Sequence, residues 1–242
     1  MTRMVRRWAC LAVVWLGLVL DLGVAMAQPR PVSIRAATAN DAVYEQGLAE
    51  LRRRLGGRGV VERVAPSAAA GVIAALRRGD IDAAIVPLPA LRELAPAFGV
   101  YDLAFTFPDR LSVMAFTEWA GADELAGQLS RHGLMPLGAW YGGALVIAGN
   151  QALRSPPDFK GERVAFFGGA PVARQFAAVG ANPAALPAAD MAAALERGLI
   201  GAVELRWHDV AAVAPSLRYV TETNHRFAGY LVVVHRARFG SL

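Results

Sequence analysis

The sequence contains a single cysteine, Cys10, among its 242 residues. One cysteine cannot form an intramolecular disulfide or supply a cysteine-rich zinc site. The four histidines do not have the spacing of metal ligands, and the chain contains no His-Glu-x-x-His motif. The sequence therefore predicts a fold without disulfides, and we expect neither a metal ion nor any other cofactor.

Catalytic and nucleotide-binding motifs are also missing. The chain contains no Gly-x-Ser-x-Gly elbow, no Gly-x-x-x-x-Gly-Lys loop and no Gly-x-Gly-x-x-Gly fingerprint. Its densest polar cluster comprises Glu204, Arg206, His208 and Asp209. This pattern favours a surface turn, although an extracytoplasmic enzyme that uses His208 beside Asp209 for acid and base catalysis is an alternative. We expect a protein that is not an enzyme.

Basic residues exceed acidic ones by five, but they form no continuous stripe. The short runs at 52–54 and 77–78 lie within helical patterns, and no aromatic residues alternate with them as in proteins that bind single-stranded nucleic acids. The sequence thus predicts no nucleic-acid partner.

The N-terminus has the order of an export signal. Arg3, Arg6 and Arg7 precede an apolar run at 8–20, which is too short to span about 30 Å of hydrocarbon. The small residues of Ala25-Met26-Ala27 follow. This order predicts a signal peptide over residues 1–27, cleaved after Ala27, and a mature chain in the periplasm. Cys10 lies in the segment that we expect to be removed.

Strand and helix patterns alternate along the mature chain. Period-two and helical spacings predict strands at 32–37, 60–64, 81–86 and 163–167, and helices at 41–55, 68–78 and 171–179. Short connections between such elements favour a parallel, helix-covered α/β sheet.

One phrase occurs twice. Residues 75–83 (ALRRGDIDA) and 194–202 (ALERGLIGA) share a helix end, a glycine and a strand start. This repeat predicts two α/β lobes of similar construction, although helix-Gly-strand corners are common enough for coincidence. A ligand would bind in the cleft between the lobes, where carboxyl ends of strands meet.

Five phrases occur in the order and spacing of one protein family. They are Phe98-Gly99-Val100-Tyr101-Asp102-Leu103-Ala104-Phe105, Gly133-Leu134-Met135-Pro136-Leu137-Gly138, Phe159-Lys160-Gly161, Val179-Gly180-Ala181-Asn182-Pro183 and Thr223-Asn224-His225. The chain resembles the extracytoplasmic solute-binding subunit of tripartite ATP-independent periplasmic (TRAP) transporters, DctP type. The resemblance covers almost the whole mature chain.

The resemblance implies a bilobal periplasmic-binding-protein-like fold of α/β class. Lobe 1 would comprise mainly residues 28–145 and lobe 2 mainly residues 146–225, and residues 226–242 would form a returning strand and a shortened C-terminal part. The implied function is capture of a small organic solute, commonly an organic acid, by a monomer that passes it to the membrane subunits of a TRAP permease.

Three positions depart from the family pattern. The family phrases carry an arginine that grips the substrate carboxylate, a second basic or polar contact and an asparagine, whereas this chain has Ala165, Leu145 and Leu205 there. These replacements favour a neutral or largely apolar ligand, because a dry apolar pocket disfavours an ionised acid. Arg163 lies on the same strand face as Ala165 and is a candidate substitute.

The candidate ligand-binding residues follow from this comparison. Besides Leu145, Ala165, Leu205 and Arg163, they are the aromatic residues Tyr141, Phe166, Phe167 and Trp207 and the polar residues Glu204 and Asn40. The aromatic residues can equally belong to the core. The lost anchors and the short C-terminal part leave one alternative function, a degenerate or repurposed binding scaffold that acts through a protein partner.

Overall fold

The structure is a computed structural model, which describes residues 31–38 and 42–239. The predicted signal peptide, Cys10 and the candidate ligand contact Asn40 lie outside these residues. None of the helices in the described ranges has the length and hydropathy needed to cross a bilayer.

The first part of the chain folds as the periodicity predicts. Strands β1 (Val32–Ala37), β2 (Gly59–Val64) and β3 (Ala83–Pro87) alternate with helices α1 (Ala42–Leu55) and α2 (Ala69–Arg78). β1 pairs in parallel with both β2 and β3. Helix α2 ends at Gly79, where a φ of 74° lets the N–H of the next residue, Asp80, reach the carbonyl of Ala75 at 3.0 Å.

Short helical segments complete the core of this lobe. They are two 3₁₀ segments, Leu88–Glu93 and Pro96–Asp102, and helices α3 (Arg110–Ala115) and α4 (Ala122–Ser130). Phe98 and Tyr101 from the second 3₁₀ segment are buried in the same core as residues of α2 and α4. Burial of an apolar side chain of this size stabilises the fold by about 1.5–3 kcal/mol.

The long strand β4 (Leu134–Gly149) belongs to both halves of the sheet. Residues 134–144 pair with β9 (Phe227–His235), and residues 145–149 pair with β7 (Ala202–Arg206). Both pairings are antiparallel, so the predicted parallel arrangement is confirmed for β1 to β3 but is wrong for the middle of the sheet. The reason is topological, because the chain crosses between the lobes along β4 and returns into β9 in the opposite direction.

The second lobe contains the remaining elements. They are β5 (Arg163–Ala165), α5 (Ala170–Ala178), β6 (Asn182–Ala184), α6 (Ala188–Glu196), α7 (Val210–Val213) and β8 (Tyr219–Thr221), and a short α8 (Arg236–Phe239) follows β9. The described strands form one sheet in the order β2-β1-β3-β9-β4-β7-β5-β6, with β8 also paired to β4. Gly198 after α6 has a φ of 66°, so both copies of the repeated phrase turn from helix to strand through a left-handed glycine.

Alternation along β5 divides the lobe-2 core in two. Val164 and Phe166 pack on one face of the sheet with α5. Ala165 packs on the other face together with Leu205 and residues of α6. This division decides which of the candidate residues can share a site.

Candidate functional site

A buried ionic cluster lies where the two lobes meet. We define it as Arg92, Asp102, Glu204, His225 and Arg226. Arg92 and Asp102 come from the 3₁₀ segments of lobe 1, Glu204 comes from β7 of lobe 2, and His225 and Arg226 lie in the connection that leads into β9. The side chains of the two carboxylates are almost fully buried.

Glu204 accepts hydrogen bonds from three directions. Arg226 Nη2 lies 2.6 and 2.7 Å from its two carboxylate oxygens, and the N–H of Phe167 donates to Oε2 at 2.9 Å. His225 Nε2 lies 2.7 Å from Oε1 and must carry the proton, because a carboxylate only accepts. Nδ1 of the same ring is then free to accept from the Thr223 hydroxyl at 2.6 Å.

These contacts determine the charge of Glu204. Burial alone would raise the pKa of this carboxyl, but the charge of Arg226 and the hydrogen bond from His225 outweigh burial and lower the pKa below its usual value. Glu204 is therefore ionised at neutral pH.

Asp102 extends the cluster into lobe 1. Its carboxylate forms an ion pair with Arg92, and Oδ1 lies 3.6 Å from Arg226 Nη1. Arg92 in turn lies so close to Gly169 that a Cβ there would overlap its guanidinium. Two guanidinium groups face two carboxylates, so the cluster has no net charge when His225 is neutral.

A second contact between the lobes involves Arg206 at the end of β7. Its guanidinium lies over the ring of Tyr44 from α1, 5.5 Å from the ring centroid. Asp209 holds it through both carboxylate oxygens at 2.6 and 2.7 Å. His208 Nε2 lies 3.9 Å from Asp209, too far for the hydrogen bond that the alternative acid and base role requires.

Glycines at the lobe boundary make room for the protein's own side chains. The hydroxyl of Tyr44 occupies the space that a Cβ at Gly142 would need, and Arg92 occupies that space at Gly169. Gly143 has a φ of 90° within a bulge of β4. Gly142 thus permits close approach within lobe 1, and Gly169 permits close approach between the lobes.

Three of the candidate ligand contacts gather around Arg226. The N–H of Leu145 donates to the Arg226 carbonyl at 2.9 Å, and the carbonyl of Phe167 accepts from Arg226 Nη2 at 2.7 Å. Glu204 is the third. Leu145 itself is buried, and Phe167 is half-buried.

The other candidates lie elsewhere. Ala165 and Leu205 are buried in the core beneath α6, and Phe166 is buried on the opposite face of the sheet. Arg163 is exposed at the start of β5, and the Trp207 side chain is 52% exposed.

Tyr141 packs against the lobe-1 core and donates to Glu118 Oε1 at 3.2 Å. Burial raises its pKa to about 12. The hydroxyl is therefore protonated at neutral pH and can act as a hydrogen-bond donor.

Sequence reasoning missed Arg92, Asp102 and Arg226 as members of one cluster. Asp102 and His225 lie within phrases that carried the resemblance, and Arg226 directly follows one of them. Their position in or next to these phrases was the only sign in the sequence that Asp102, His225 and Arg226 belong to a site. Within 31–38 and 42–239, no three His, Cys, Asp or Glu side chains come together in an arrangement that could hold a metal ion.

The family model for bacterial extracellular solute-binding proteins, family 7 (DctP), matches residues 65–242. The chain belongs to this family. The resemblance to DctP-type TRAP subunits is thereby confirmed, and family 7 is one of solute-binding proteins, not enzymes.

Two curated periplasmic binding proteins are similar in sequence. The C4-dicarboxylate-binding periplasmic protein DctP of Vibrio cholerae is 29% identical over 67% of this chain and 49% of its own length. The 2,3-diketo-L-gulonate-binding periplasmic protein YiaO of Escherichia coli is 25% identical over 92% of this chain and 67% of its own length. The match thus spans about half of the Vibrio relative.

Solved structures of TRAP periplasmic solute-binding proteins share the fold. A protein from Ochrobactrum anthropi superposes with a TM-score of 0.77 at 20% identity, over 89% of this chain and 71% of that protein. A protein from Shewanella oneidensis with bound succinate superposes with a TM-score of 0.74 at 26% identity, over 88% of this chain and 73% of that protein. The predicted bilobal α/β fold is confirmed.

Proposed function

We propose that this chain captures a small, uncharged organic solute between its two lobes in the periplasm and passes it to the membrane subunits of a TRAP permease. Membership of family 7 supports solute binding, and the related proteins are named as periplasmic. In a two-lobed protein of this kind, binding and closure are one process, because a solute that contacts both lobes stabilises the closed state.

The observation that carries the choice of an uncharged solute is the charge balance at the lobe boundary. Each of the three arginines described there, Arg92, Arg206 and Arg226, already faces a carboxylate of the chain itself. A solute carboxylate would therefore have to displace Glu204, Asp102 or Asp209 from its arginine.

The apolar anchor positions support the same choice. Leu145, Ala165 and Leu205 offer no hydrogen bond through their side chains, and all three are buried. A solute carboxylate between the lobes would therefore find no partner at the three family anchor positions, and a carboxylate without a partner is strongly disfavoured. The related Shewanella protein holds succinate, so we infer that this chain differs from it in selectivity.

Thermal unfolding with a matched pair of solutes tests the proposal. Succinamide has the shape of succinate without its charge. A bound solute at a hundred times its dissociation constant adds about 2.7 kcal/mol to the free energy of unfolding. We expect neutral solutes of this size to raise the melting temperature and succinate to have no effect.

Stabilisation by succinate would be the opposite result, and the Arg163→Ala variant is its control. If succinate stabilises the protein and Arg163→Ala abolishes the effect, the arginine on β5 replaces the missing anchor, and the uncharged solute is excluded. If calorimetry finds no saturable small ligand in native extracts, the alternative of a scaffold for a protein partner replaces solute capture.

A further inference from the structure

A cavity of about 140 Å³ lies beside α5 of lobe 2, where that lobe meets residues 104–105 of lobe 1. Its walls come from β4, α5, the 153–159 stretch, residues 104–105 and the connection before β9. Its lining is mostly apolar and includes Phe105, Ile147, Phe159, Val172, Phe176 and Val179.

The cavity lies on the opposite sheet face from the apolar anchor positions. Ile147 and Phe176 belong to the core on the α5 side, whereas Ala165 and Leu205 belong to the core on the α6 side. A ligand in this cavity would therefore not touch the side chains of Ala165 and Leu205.

Two polar side chains of the cavity, Gln175 and His225, are engaged within the protein. Gln175 accepts from the N–H of Ala104 at 2.5 Å and donates to the carbonyl of Asp102 at 2.7 Å. Both nitrogens of His225 face Thr223 and Glu204. Because the lining is mostly apolar and a bound water needs two to four polar partners, this cavity favours an apolar occupant over water.

Phe105 lies at the edge of the cavity with an exposed ring and a positive φ. Its side chain is 74% exposed, and its φ of 60° lies in the left-handed region that a bulky residue rarely adopts. Its N–H donates to the His225 carbonyl at 2.7 Å and holds the backbone in place. The rings of Phe105 and Phe176 each lie within 6.4 Å of the His225 ring, measured between centroids.

We propose that this cavity is a binding site for an uncharged compound with a single aromatic ring, and that Phe105 covers the bound ring. The volume fits, because an engineered apolar cavity of about 150 Å³ in another protein takes up benzene. The aromatic lining suits edge-to-face contacts with a ring.

Arg154 also lines the cavity, and its positive charge could attract an anionic ligand such as an aromatic acid. Asp158 accepts the backbone N–H of Arg154 at 2.9 Å, and hydrogen bonds from Ser155 together with the charge of Arg154 lower the pKa of the Asp158 carboxyl, so a negative charge of the chain itself lies near this arginine. This arrangement favours a neutral ring over an aromatic acid.

Ligand-observed NMR titrations of the purified protein with toluene and with benzoate test the proposal. We expect saturable binding of toluene and at least tenfold weaker binding of benzoate. Val179→Phe places a larger side chain in the cavity and should weaken toluene binding at least tenfold. Val60→Phe, at a 62% exposed position of β2, is the matched control and should leave binding unchanged.

A second variant keeps the test informative if Val179→Phe does not fold. Phe105→Ala removes an exposed ring, leaves the core intact and should weaken toluene binding several-fold. The proposal is wrong if toluene does not bind, if benzoate binds as tightly, or if folded Val179→Phe and Phe105→Ala both bind toluene like the unmodified protein.

Discussion

Arg226 and Glu204 form an ion pair in which one guanidinium nitrogen contacts both carboxylate oxygens, at 2.6 and 2.7 Å, with both side chains buried. Removal of one member of such a pair leaves an uncompensated buried charge, which typically costs about 3–5 kcal/mol. The pair thus joins lobe 2 to the connection that enters β9.

Chemical rescue tests whether Arg226 can hold an external carboxylate. Glu204→Ala should lower the free energy of unfolding by about 3–5 kcal/mol, because Arg226 loses its main partner. Acetate or formate at tens of millimolar should then restore part of the melting temperature. Glu62→Ala, which breaks the exposed pair with Arg35, should cost at most about 1 kcal/mol and show no response to acetate.

The lowered pKa of Glu204 predicts a loss of stability in acid. Its stabilising contribution is fully present above the unfolded pKa, which is about 4.3, and is lost as the pH falls through the lower folded pKa. Urea unfolding at a series of pH values between 7 and 3 measures this dependence. The double variant Glu204→Met with Arg226→Met should unfold with a weaker dependence on pH in the same window.

Gly142 should be sensitive to substitution because of Tyr44. A Cβ at position 142 would overlap the Tyr44 hydroxyl, so Gly142→Ala should cost about 1–3 kcal/mol in denaturant unfolding. Adding Tyr44→Phe should recover part of this loss. Gly127→Ala in α4, where a Cβ meets nothing within 4 Å, should instead be neutral or stabilise by up to about 1 kcal/mol. Equal effects of the two alanine substitutions would contradict this account.

Phe105 carries backbone strain that a different residue would relieve. Asparagine tolerates a positive φ better than phenylalanine does, and the exposed ring buries little surface. Phe105→Asn should therefore raise the free energy of unfolding by about 1 kcal/mol, as calorimetry can measure. Phe105→Val, with a β-branched side chain, should lower it. A stabilising valine would mean that the strain lies elsewhere.

The sequence was most informative where local chemistry determines structure. Hydrophobic spacing predicted β1, α1, β2 and α2 within one or two residues, and Gly79 and Gly198 marked the ends of two helices because only glycine adopts their φ values readily. Family phrases then identified the two-lobed fold.

The same reasoning does not predict which strands and which charged side chains pair when they are distant in sequence. Pro136, Gly138 and the Gly142-Gly143 pair interrupt the alternation of β4, so its length and its two antiparallel partners were not apparent. The burial of Arg226 depends on Glu204 and Asp102, which are distant in sequence. A local pattern cannot reveal such compensation.

Strand β4 places both lobes under one constraint. Its residues 134–144 pair in one lobe and its residues 145–149 in the other, so a one-residue insertion or deletion that no bulge absorbs would turn the side chains on one side of the change to the wrong face. The loops on either side of the strand are not held in register by strand pairing. Over evolutionary time, we expect length changes to accumulate in those loops while β4 keeps its length.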